Sequence, residues 1–284
     1  MQTLDVLITA SSRPQLIEFC LRSFIEKMHF SGTFRFLLHE DFVFEEQSRA
    51  VLRWATRNEV VHFDIIRQAH PAVGLGAAME RMLVRIRSPF MFYLQEDWEF
   101  ERHVDLDQAI WTMEQTPELN SLIFFKYRTP STINSFSLEE TRFDMLTCSL
   151  YNTWSLLPSL WRSSFIKSRW VTRKERPEGF FTNSLGSAAQ RMRPEFCRKQ
   201  LGVYIYGPNG DYRYVRHLGN TWRMAAWRLE DGAPGGNEPG PEFDAKTRAP
   251  WLPPMEARPS SKAPTGQYPE LSEEPEEVKS YYGV

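Results

Sequence analysis

Four short apolar segments alternate with amphipathic segments over the first 95 residues, and this alternation restricts the possible folds more than any other feature. The apolar segments are rich in β-branched and aromatic residues and cover residues 4–10, 34–40, 60–68 and 90–95. The amphipathic segments between them cover residues 14–28, 45–57 and 74–86. Strands that alternate with helices form a mostly parallel sheet with right-handed crossovers. The sequence therefore predicts an α/β fold whose ligands bind at the carboxyl ends of the strands.

The rest of the chain has a weaker pattern. It predicts a helix over 105–116, a central strand over 121–128, a looped insertion over 129–150, a helical stretch near 178–192 and two short late strands in YIYG and YRYVRHLG. From residue 229 onward the composition changes, because ten of the nineteen prolines lie there without apolar periodicity. This predicts a domain boundary after residue 228 and an irregular, Pro-rich arm over 229–284 that is disordered or extended.

Charge and composition limit the classes of function. Residues 1–228 carry 29 Lys and Arg against 25 Asp and Glu, whereas residues 229–284 carry 5 against 11. A mildly basic body suits a ligand with phosphates, but it is less basic than proteins that hold nucleic acid mainly through its backbone. Three distant cysteines, Cys20, Cys148 and Cys197, predict ordinary thiols. Because no secretory signal or membrane span is recognisable, a cytoplasmic location is expected.

Acidic side chains follow the fourth apolar segment. Residues 90–95, FMFYLQ, are almost wholly apolar and predict a strand buried on both faces, and the sequence continues with Glu96, Asp97, Trp98 and Glu99. Mg²⁺ and Mn²⁺ bind oxygen ligands and are commonly held by one or two carboxylates plus substrate phosphates. On these residues alone an ordinary acidic turn after a strand is the favoured interpretation, and a metal site is the alternative.

Four segments resemble, in order, glycosyltransferases of the GT-A fold, especially the large family 2-like group of the nucleotide-diphospho-sugar transferases. That family's first strand and N-R-P-type turn are matched by LDVLITASSRP, and its G-x-x-x-A-x-N-x-G helix and metal-motif strand by GLGAAMERMLVRIRSPFMFYLQEDW. Its acceptor-side segment is matched by NTWSLLPSLWR, and its late histidine segment by HLGN. The likeness covers about residues 4–220. It implies a Rossmann-like sheet flanked by helices, with a nucleotide-sugar-binding half over 1–100 and an acceptor half over 101–228.

The resemblance implies a divalent metal, Mn²⁺ or Mg²⁺, at the end of the fourth strand. Asp97 takes the last position of the metal motif, and His217 takes the position of the late histidine ligand. A structural histidine is the alternative for His217. Glu96 takes the middle position, where the residue usually faces the sugar or ribose. Gln95 stands where an Asp is usual, and its neutral amide weakens the case for chelation by two carboxylates.

The resemblance also implies a set of donor-binding residues and favours a UDP-sugar as donor. The set is Thr9, Ala10, Arg13, Asp41, Gly74, Arg81, Gln95 and Glu96. The first three correspond to the turn that holds base and ribose, and Asp41 corresponds to the acid that reads the uracil ring, with a solvated loop acid as the alternative. Gly74 would allow the backbone to approach the ligand, and Arg81 is expected to face either solvent or phosphate.

Inverting transfer requires a carboxylate that deprotonates the acceptor hydroxyl. In the family this base lies at the start of a helix beyond the acceptor loop, and the matching positions are Glu178 and, as a close second, Glu175. A helix-terminal acid favoured by the macrodipole is the alternative. Trp154, Trp161 and Arg162 match the acceptor-side segment. The basic and aromatic stretch 154–176 is expected to clamp diphosphate and acceptor, to stack nucleic-acid bases or to cover the core.

Three functions are consistent with the sequence. The leading one is a metal-dependent, inverting glycosyltransferase that uses a nucleotide-diphosphate sugar and a glycan, protein or lipid acceptor. The second keeps the same chemistry but transfers the sugar to a hydroxymethylated base in DNA. The third is a non-catalytic nucleotide-binding module of the same fold, and Gln95 motivates it.

Overall fold

The computed structural model describes residues 2–41, 45–67, 74–125, 137–143, 146–152, 155–170, 187, 190, 193–207 and 213–218. The chain divides into two units, residues 1–218 and 219–284, and every described residue belongs to the first unit. The domain boundary predicted after residue 228 and the predicted C-terminal arm therefore lie outside the described residues.

The described elements alternate as expected in the first half of the chain. They are β1 (Thr3–Ala10), α1 (Pro14–Lys27), β2 (Met28–His29), β3 (Thr33–Glu40), α2 (Glu45–Thr56), β4 (Phe63–Arg67), α3 (Gly74–Leu83) and β5 (Phe90–Gln95). The later elements are β6 (Trp98–Phe100), β7 (Val104–Asp105), α4 (Leu106–Gln115), β8 (Ser121–Ile123), β9 (Ser137–Phe143), β10 (Leu146–Tyr151), β11 (Ser159–Arg162), α5 (Ser163–Arg169), α6 (Pro194–Gln200), β12 (Val203–Tyr206) and β13 (Val215–His217).

The four predicted strands form a parallel half-sheet in the order β4, β3, β1, β5. Ile8 on β1 lies opposite Leu38 on β3 and Leu94 on β5, so the carboxyl ends of these three strands are level. β5 is buried along its length except at Gln95, as its apolar sequence predicts. The parallel α/β arrangement is therefore confirmed, and it brings the turns after β1, β3 and β5 to one edge.

The second half of the sheet is mixed. It continues beyond β5 in the order β11, β8, β12, β10, β9, and β10 and β11 run opposite to the other strands. The predicted strand over 121–128 ends at Ile123 where the structure describes it. The prediction of a looped insertion over 129–150 is wrong for its described part, because β9 and β10 form an antiparallel pair. β10 is buried along its length except at Thr147, so it lies inside the fold rather than in a surface loop.

Helix α1 fixes the position of β6, and so of the turn between β5 and β6. Pro14 stands in its first turn, where the missing N–H costs no hydrogen bond. The Phe24 ring contacts Phe92 of β5 and Phe100 of β6 at centroid distances of 5.1 and 5.6 Å. The Ser23 hydroxyl accepts a hydrogen bond of 3.0 Å from the Phe100 amide. None of the helices in the described part of the chain has the length and apolar composition needed to cross a membrane.

Candidate functional site

Asp97 and His217 lie side by side, although 120 residues separate them in the sequence. His217 Nε2 is 3.1 Å from Asp97 Oδ2. Asp97 is buried in the turn between β5 and β6, with a relative exposure of 6%. Within the described residues, the buried atoms Asp97 Oδ1 and His217 Nδ1 have no hydrogen-bond partner. Buried polar atoms are nearly always paired, so these two are available to a ligand.

A short two-stranded ribbon brings His217 to this turn. β6 and β13 pair antiparallel, with His217 opposite Trp98, the residue after Asp97. The imidazole lies against the Trp98 indole at a centroid distance of 4.5 Å and a tilt of 33°. The Leu218 amide donates a hydrogen bond of 2.7 Å to the Asp97 carbonyl. The ribbon therefore fixes both the backbone and the ring plane of His217.

Arg13, predicted to bind the donor, is the counter-ion of both acidic residues in the turn. Its Nε and Nη2 atoms lie 2.8 and 2.5 Å from Glu96 Oε1, and its Nη1 lies 3.2 Å from Asp97 Oδ2. The Ser11 amide also donates to Glu96 Oε1, at 3.1 Å. Glu96 is 2% exposed. The turn after β1 and the turn after β5 are thus joined through one buried carboxylate.

The two neighbouring carboxyl groups have opposite pKa shifts. Burial raises the pKa of Asp97, but the charges of His217 and Arg13 lower it more strongly, so its pKa is below the usual value and it stays ionised. Burial raises the pKa of Glu96, Arg13 opposes this, and the charge of Asp97 raises it further, so the net shift is upward. Asp97 is therefore the stronger anion of the pair and the better ligand for a cation.

Gln95, which stands at the first position of the metal motif, turns toward its own strand. Its Nε2 donates a hydrogen bond of 3.0 Å to the Tyr93 hydroxyl, and its Oε1 lies 3.4 Å from the Trp98 indole nitrogen. The Tyr93 hydroxyl is also 3.2 Å from Thr9 Oγ1. Both ends of the Gln95 amide are used within the protein, and the role of Asp97 as a metal ligand stays a prediction.

The remaining predicted donor residues line the same edge. Thr9 and Ala10 are buried, and their carbonyls accept the Glu96 and Asp41 amides at 3.1 and 2.8 Å. Asp41 Oδ2 accepts a hydrogen bond of 2.9 Å from the amide of Gly74, which begins α3 with a φ of +78°, a conformation suited to glycine. Arg81 is half-buried farther along α3. The structure brings Thr9, Ala10, Asp41 and Gly74 together at this edge, and the role of all five residues in donor binding stays a prediction.

A buried network under the β1 turn was missed by the sequence analysis. Glu40 Oε1 accepts hydrogen bonds of 2.8 Å from the Ser12 amide and 2.7 Å from the Ser48 hydroxyl. Ser12 has a φ of +57°, unusual for a residue other than glycine. Burial raises the pKa of Glu40 to about 8, although both hydrogen bonds oppose the shift. Glu40 thus holds the strained residue next to Arg13, and the sequence offers only the Glu40-Asp41 pair as a signal.

Two of the three predicted acceptor residues lie away from this edge. Trp161 is 1% exposed, and its indole donates to Ser159 Oγ at 2.6 Å. Arg162 lies opposite Phe90, at the amino end of β5, and donates to the carbonyls of Met113 and Thr116 at 2.5 and 3.3 Å. The structure therefore does not support an acceptor role for either residue, because β11 runs antiparallel to β5 and carries them toward the opposite edge.

The other acceptor residue and the candidate bases cannot be placed in the same way. Trp154, Glu175 and Glu178 lie outside the described residues, as does most of the predicted helical stretch near 178–192. Their assignments stay predictions.

A second carboxylate and imidazole group lies near the amino ends of the strands. The potential ligand atoms of His29, Asp105 and Asp107 lie within 4.8 Å of one another. Asp105 caps α4 by accepting the Gln108 amide at 2.9 Å. Asp107 accepts the amide and hydroxyl of Ser31 at 2.8 and 3.0 Å. These carboxylates have structural partners, and both His29 and Asp105 are exposed.

Comparisons with known proteins support the fold alone. The S. aureus TarS 1–349 structure in complex with UDP-GlcNAc has 12% sequence identity to this chain, covers 83% of this chain and 68% of that chain, and gives a TM-score of 0.50. The complex of TarS 1–349 with UDP gives 12% identity, 83% and 67% coverage and a TM-score of 0.50. No family model and no curated protein match the sequence. The chain therefore has a GT-A-like α/β fold.

Proposed function

We propose that the protein is a glycosyltransferase that transfers a sugar from a nucleotide-diphosphate donor to an acceptor hydroxyl with the help of a divalent cation. The observation that carries this proposal is the contact between Asp97 and His217, with Asp97 Oδ1 buried and unpaired among the described residues. The GT-A-like fold supports the donor class, since nucleotides bind at this edge of such sheets. The predicted uracil contact of Asp41 favours UDP.

The geometry of the pair fits a metal ion. Two ligand atoms that each lie about 2.1 Å from an octahedral ion, at right angles, are separated by about 3 Å. Asp97 Oδ2 and His217 Nε2 are 3.1 Å apart, and an ion bound by both atoms would replace the hydrogen bond that now joins them. A carboxylate with an imidazole suits Mn²⁺ or Mg²⁺ when phosphate oxygens and water complete the coordination. Asp97 and His217 would hold the ion, with Gln95 excluded because its amide is bonded elsewhere.

The residues around the site have separable roles in this mechanism. A bound divalent cation would neutralise the negative charge that develops on the departing diphosphate. Thr9, Ala10 and Asp41 would orient the nucleoside, while Arg13 and Glu96 fix the turn that carries Asp97. Glu178, or Glu175, would deprotonate the acceptor hydroxyl in an inverting transfer.

A non-catalytic nucleotide-binding module is the second candidate. One observation favours it: Arg13 Nη1 lies 3.2 Å from Asp97 Oδ2 and supplies positive charge without a metal. If this arrangement persists with a ligand bound, nucleotide binding would not depend on a cation. Transfer to modified DNA has no such support, because Trp161 is buried and Arg162 bonds to backbone carbonyls.

The decisive experiment measures UDP binding by titration calorimetry with and without MnCl₂. Asp97→Asn should remove the metal-dependent part of the affinity, and Asp107→Asn is the matched control because it belongs to the other carboxylate group. Hydrolysis of UDP-sugars should show the same dependence. UDP binding by the unmodified protein that is unchanged by Mn²⁺ would favour the non-catalytic module. Loss of the metal effect in Asp107→Asn but not in Asp97→Asn would place the metal at His29, Asp105 and Asp107 instead of at Asp97.

A further inference from the structure

Two ion pairs connect the strands of the ribbon that carries His217. Arg216 lies directly opposite Glu99, with Arg216 Nε 2.9 Å from Glu99 Oε2 and a second contact through Nη2. Arg213 Nη2 lies 2.8 Å from Glu101 Oε1. We propose that these four residues, the ribbon ion pairs, are positioning residues that hold His217 at Asp97 and so set the affinity of the metal site. This inference rests on the proposed function, because it assigns regulation of that same site.

The ribbon needs side-chain contacts because its strands are short. β6 and β13 have three residues each, and an isolated two-stranded ribbon is at best marginally stable in water. Two backbone hydrogen bonds join its ends, from the Glu101 amide to the Tyr214 carbonyl at 2.9 Å and from the Leu218 amide to the Asp97 carbonyl at 2.7 Å. Val215 is buried. The Glu99–Arg216 pair adds attraction between these anchors, on the residues adjacent to Trp98 and His217. The Arg213–Glu101 pair lies just beyond the strands.

The ribbon ion pairs are less exposed than an ordinary surface pair and are linked to each other. The side chains of Glu99 and Arg216 are each 22% exposed, whereas the Arg22 side chain in the α1 pair with Glu18 is 50% exposed. Arg216 Nε also lies 3.8 Å from Glu101 Oε1, so the two pairs form one network. Isolated exposed pairs contribute little, while less hydrated networks contribute more. The Arg102 guanidinium, 5.4 Å from the Tyr214 ring centroid, adds a further contact across the ribbon.

Holding a ligand in place raises metal affinity without any new metal contact. If His217 must be ordered when the ion binds, the entropy of ordering is subtracted from the binding free energy. If the ribbon already holds His217, its side chain is ordered when the protein folds, and metal binding loses no further entropy at this residue. Residues that orient metal ligands typically change affinity by about 10- to 100-fold. The ribbon ion pairs should therefore act on cation affinity, and only through His217.

Charge reversal tests this inference. Glu99→Arg and Arg216→Glu should each raise the Kd for Mn²⁺, measured by calorimetry with saturating UDP, by about tenfold. The double variant Glu99→Arg/Arg216→Glu should return to within about threefold of the unmodified protein, because it restores opposite charges at paired positions. Glu18→Arg on α1 is the control and should leave the Kd unchanged. Single variants with unchanged Mn²⁺ affinity would overturn the inference.

A second background separates this inference from the proposed function. In His217→Ala, Arg216→Glu should cause no further loss of Mn²⁺ affinity; an equal tenfold loss would show that Arg216 acts by another route and would overturn the inference. If reversal prevents folding, Glu99→Gln and Arg216→Gln replace it, with an expected threefold loss each. Full Mn²⁺ affinity in Asp97→Asn would reject the metal site itself. Loss of Mn²⁺ affinity in Asp97→Asn, together with normal Mn²⁺ affinity in all ribbon variants, would reject only the positioning role of the ribbon ion pairs.

Discussion

Two groups of carboxylates and imidazole stand near opposite edges of this sheet, and they differ in what their oxygens already bind. In the exposed group, Asp105 and Asp107 accept hydrogen bonds from the Gln108 and Ser31 amides, and His29 Nδ1 lies 3.7 Å from Asp107 Oδ2. In the buried group, Asp97 meets His217 and keeps Oδ1 without a partner among the described residues. The same residue types thus bind a helix N-terminus and a loop at one edge and form a candidate metal site at the other.

The two groups differ in their exposure to solvent and in the positive charge that lies next to their carboxylates. An exposed carboxylate can bond to water, so its proximity to other ligands does not indicate a missing ion. A buried carboxylate that stays ionised needs positive charge nearby. Arg13 and His217 supply it for Asp97, and they lower its pKa despite burial. Burial with an unpaired oxygen is therefore a better sign of a ligand site than clustering alone.

The largest expected effect of a substitution at a single pH concerns Arg13, because the buried group depends on it for neutralisation. Arg13→Ala leaves Glu96 and Asp97 with less compensating charge and should lower the free energy of unfolding by about 3–5 kcal/mol, measured by urea denaturation. Arg22→Ala, in an exposed pair, should change it by less than about 1 kcal/mol. Mn²⁺ with UDP should recover part of the loss in Arg13→Ala. If Arg13→Ala lowered the free energy of unfolding as little as Arg22→Ala, the buried carboxylates would not depend on Arg13.

Equivalent histidine substitutions compare the two groups directly. His217→Ala should reduce metal-dependent turnover of the donor by about 100-fold or more, since changes in residues that merely orient metal ligands already cost 10- to 100-fold. His29→Ala should leave turnover within about twofold. Initial rates at several Mn²⁺ concentrations separate weaker metal binding from slower chemistry. An equal loss of turnover in His217→Ala and His29→Ala would show that the two groups do not differ in function.

Glu40, which is buried beneath the β1 turn, should make the free energy of unfolding depend on pH. Its pKa is about 8 when folded and 4.5 in the reference state, so the folded protein holds a proton that the unfolded chain releases between these values. Stability from this group is complete below pH 4.5, falls by about 1.4 kcal/mol per pH unit and levels off above pH 8. Glu40→Gln cannot ionise and should lack this component. Urea denaturation of both proteins from pH 5 to 9 checks the difference, and parallel curves would contradict it.

The sequence predicted the parallel half-sheet well, because β1, β3 and β5 are apolar strands separated by amphipathic helices. It predicted the second half poorly, because β9 and β10 form a strand pair where a loop was expected. It also did not predict the separate pairing of β6 with β13, since periodicity does not reveal partners for strands of three residues. Trp161 illustrates the same limit. A tryptophan among arginines suggested ligand contact, but only the antiparallel pairing of β11 with β5 reveals that it points into the core.

For the candidate site, the family resemblance selected Asp97 and His217, which the fold brings into contact. It did not reveal the contacts that fix them. Arg13 was assigned to the donor, yet its guanidinium spans Glu96 and Asp97. Glu40 and Arg216 were not selected, because their partners lie far along the chain or in another element. The order of the motifs selects candidate ligand residues, whereas only the long-range contacts of the structure reveal the residues that position them.

The smallest expected effect tests whether the exposed group is purely structural. Asp105 accepts the Gln108 amide as the N-cap of α4, and replacing such a cap by alanine typically costs about 1 kcal/mol. Asp105→Ala should therefore lower stability by about that amount and leave Mn²⁺-dependent UDP binding unchanged. Asp105→Asn retains the capping oxygen without charge and should keep most of the stability. A loss of Mn²⁺ affinity in both variants would place a metal at the exposed group, because capping depends on the side-chain oxygen whereas cation binding depends on the charge.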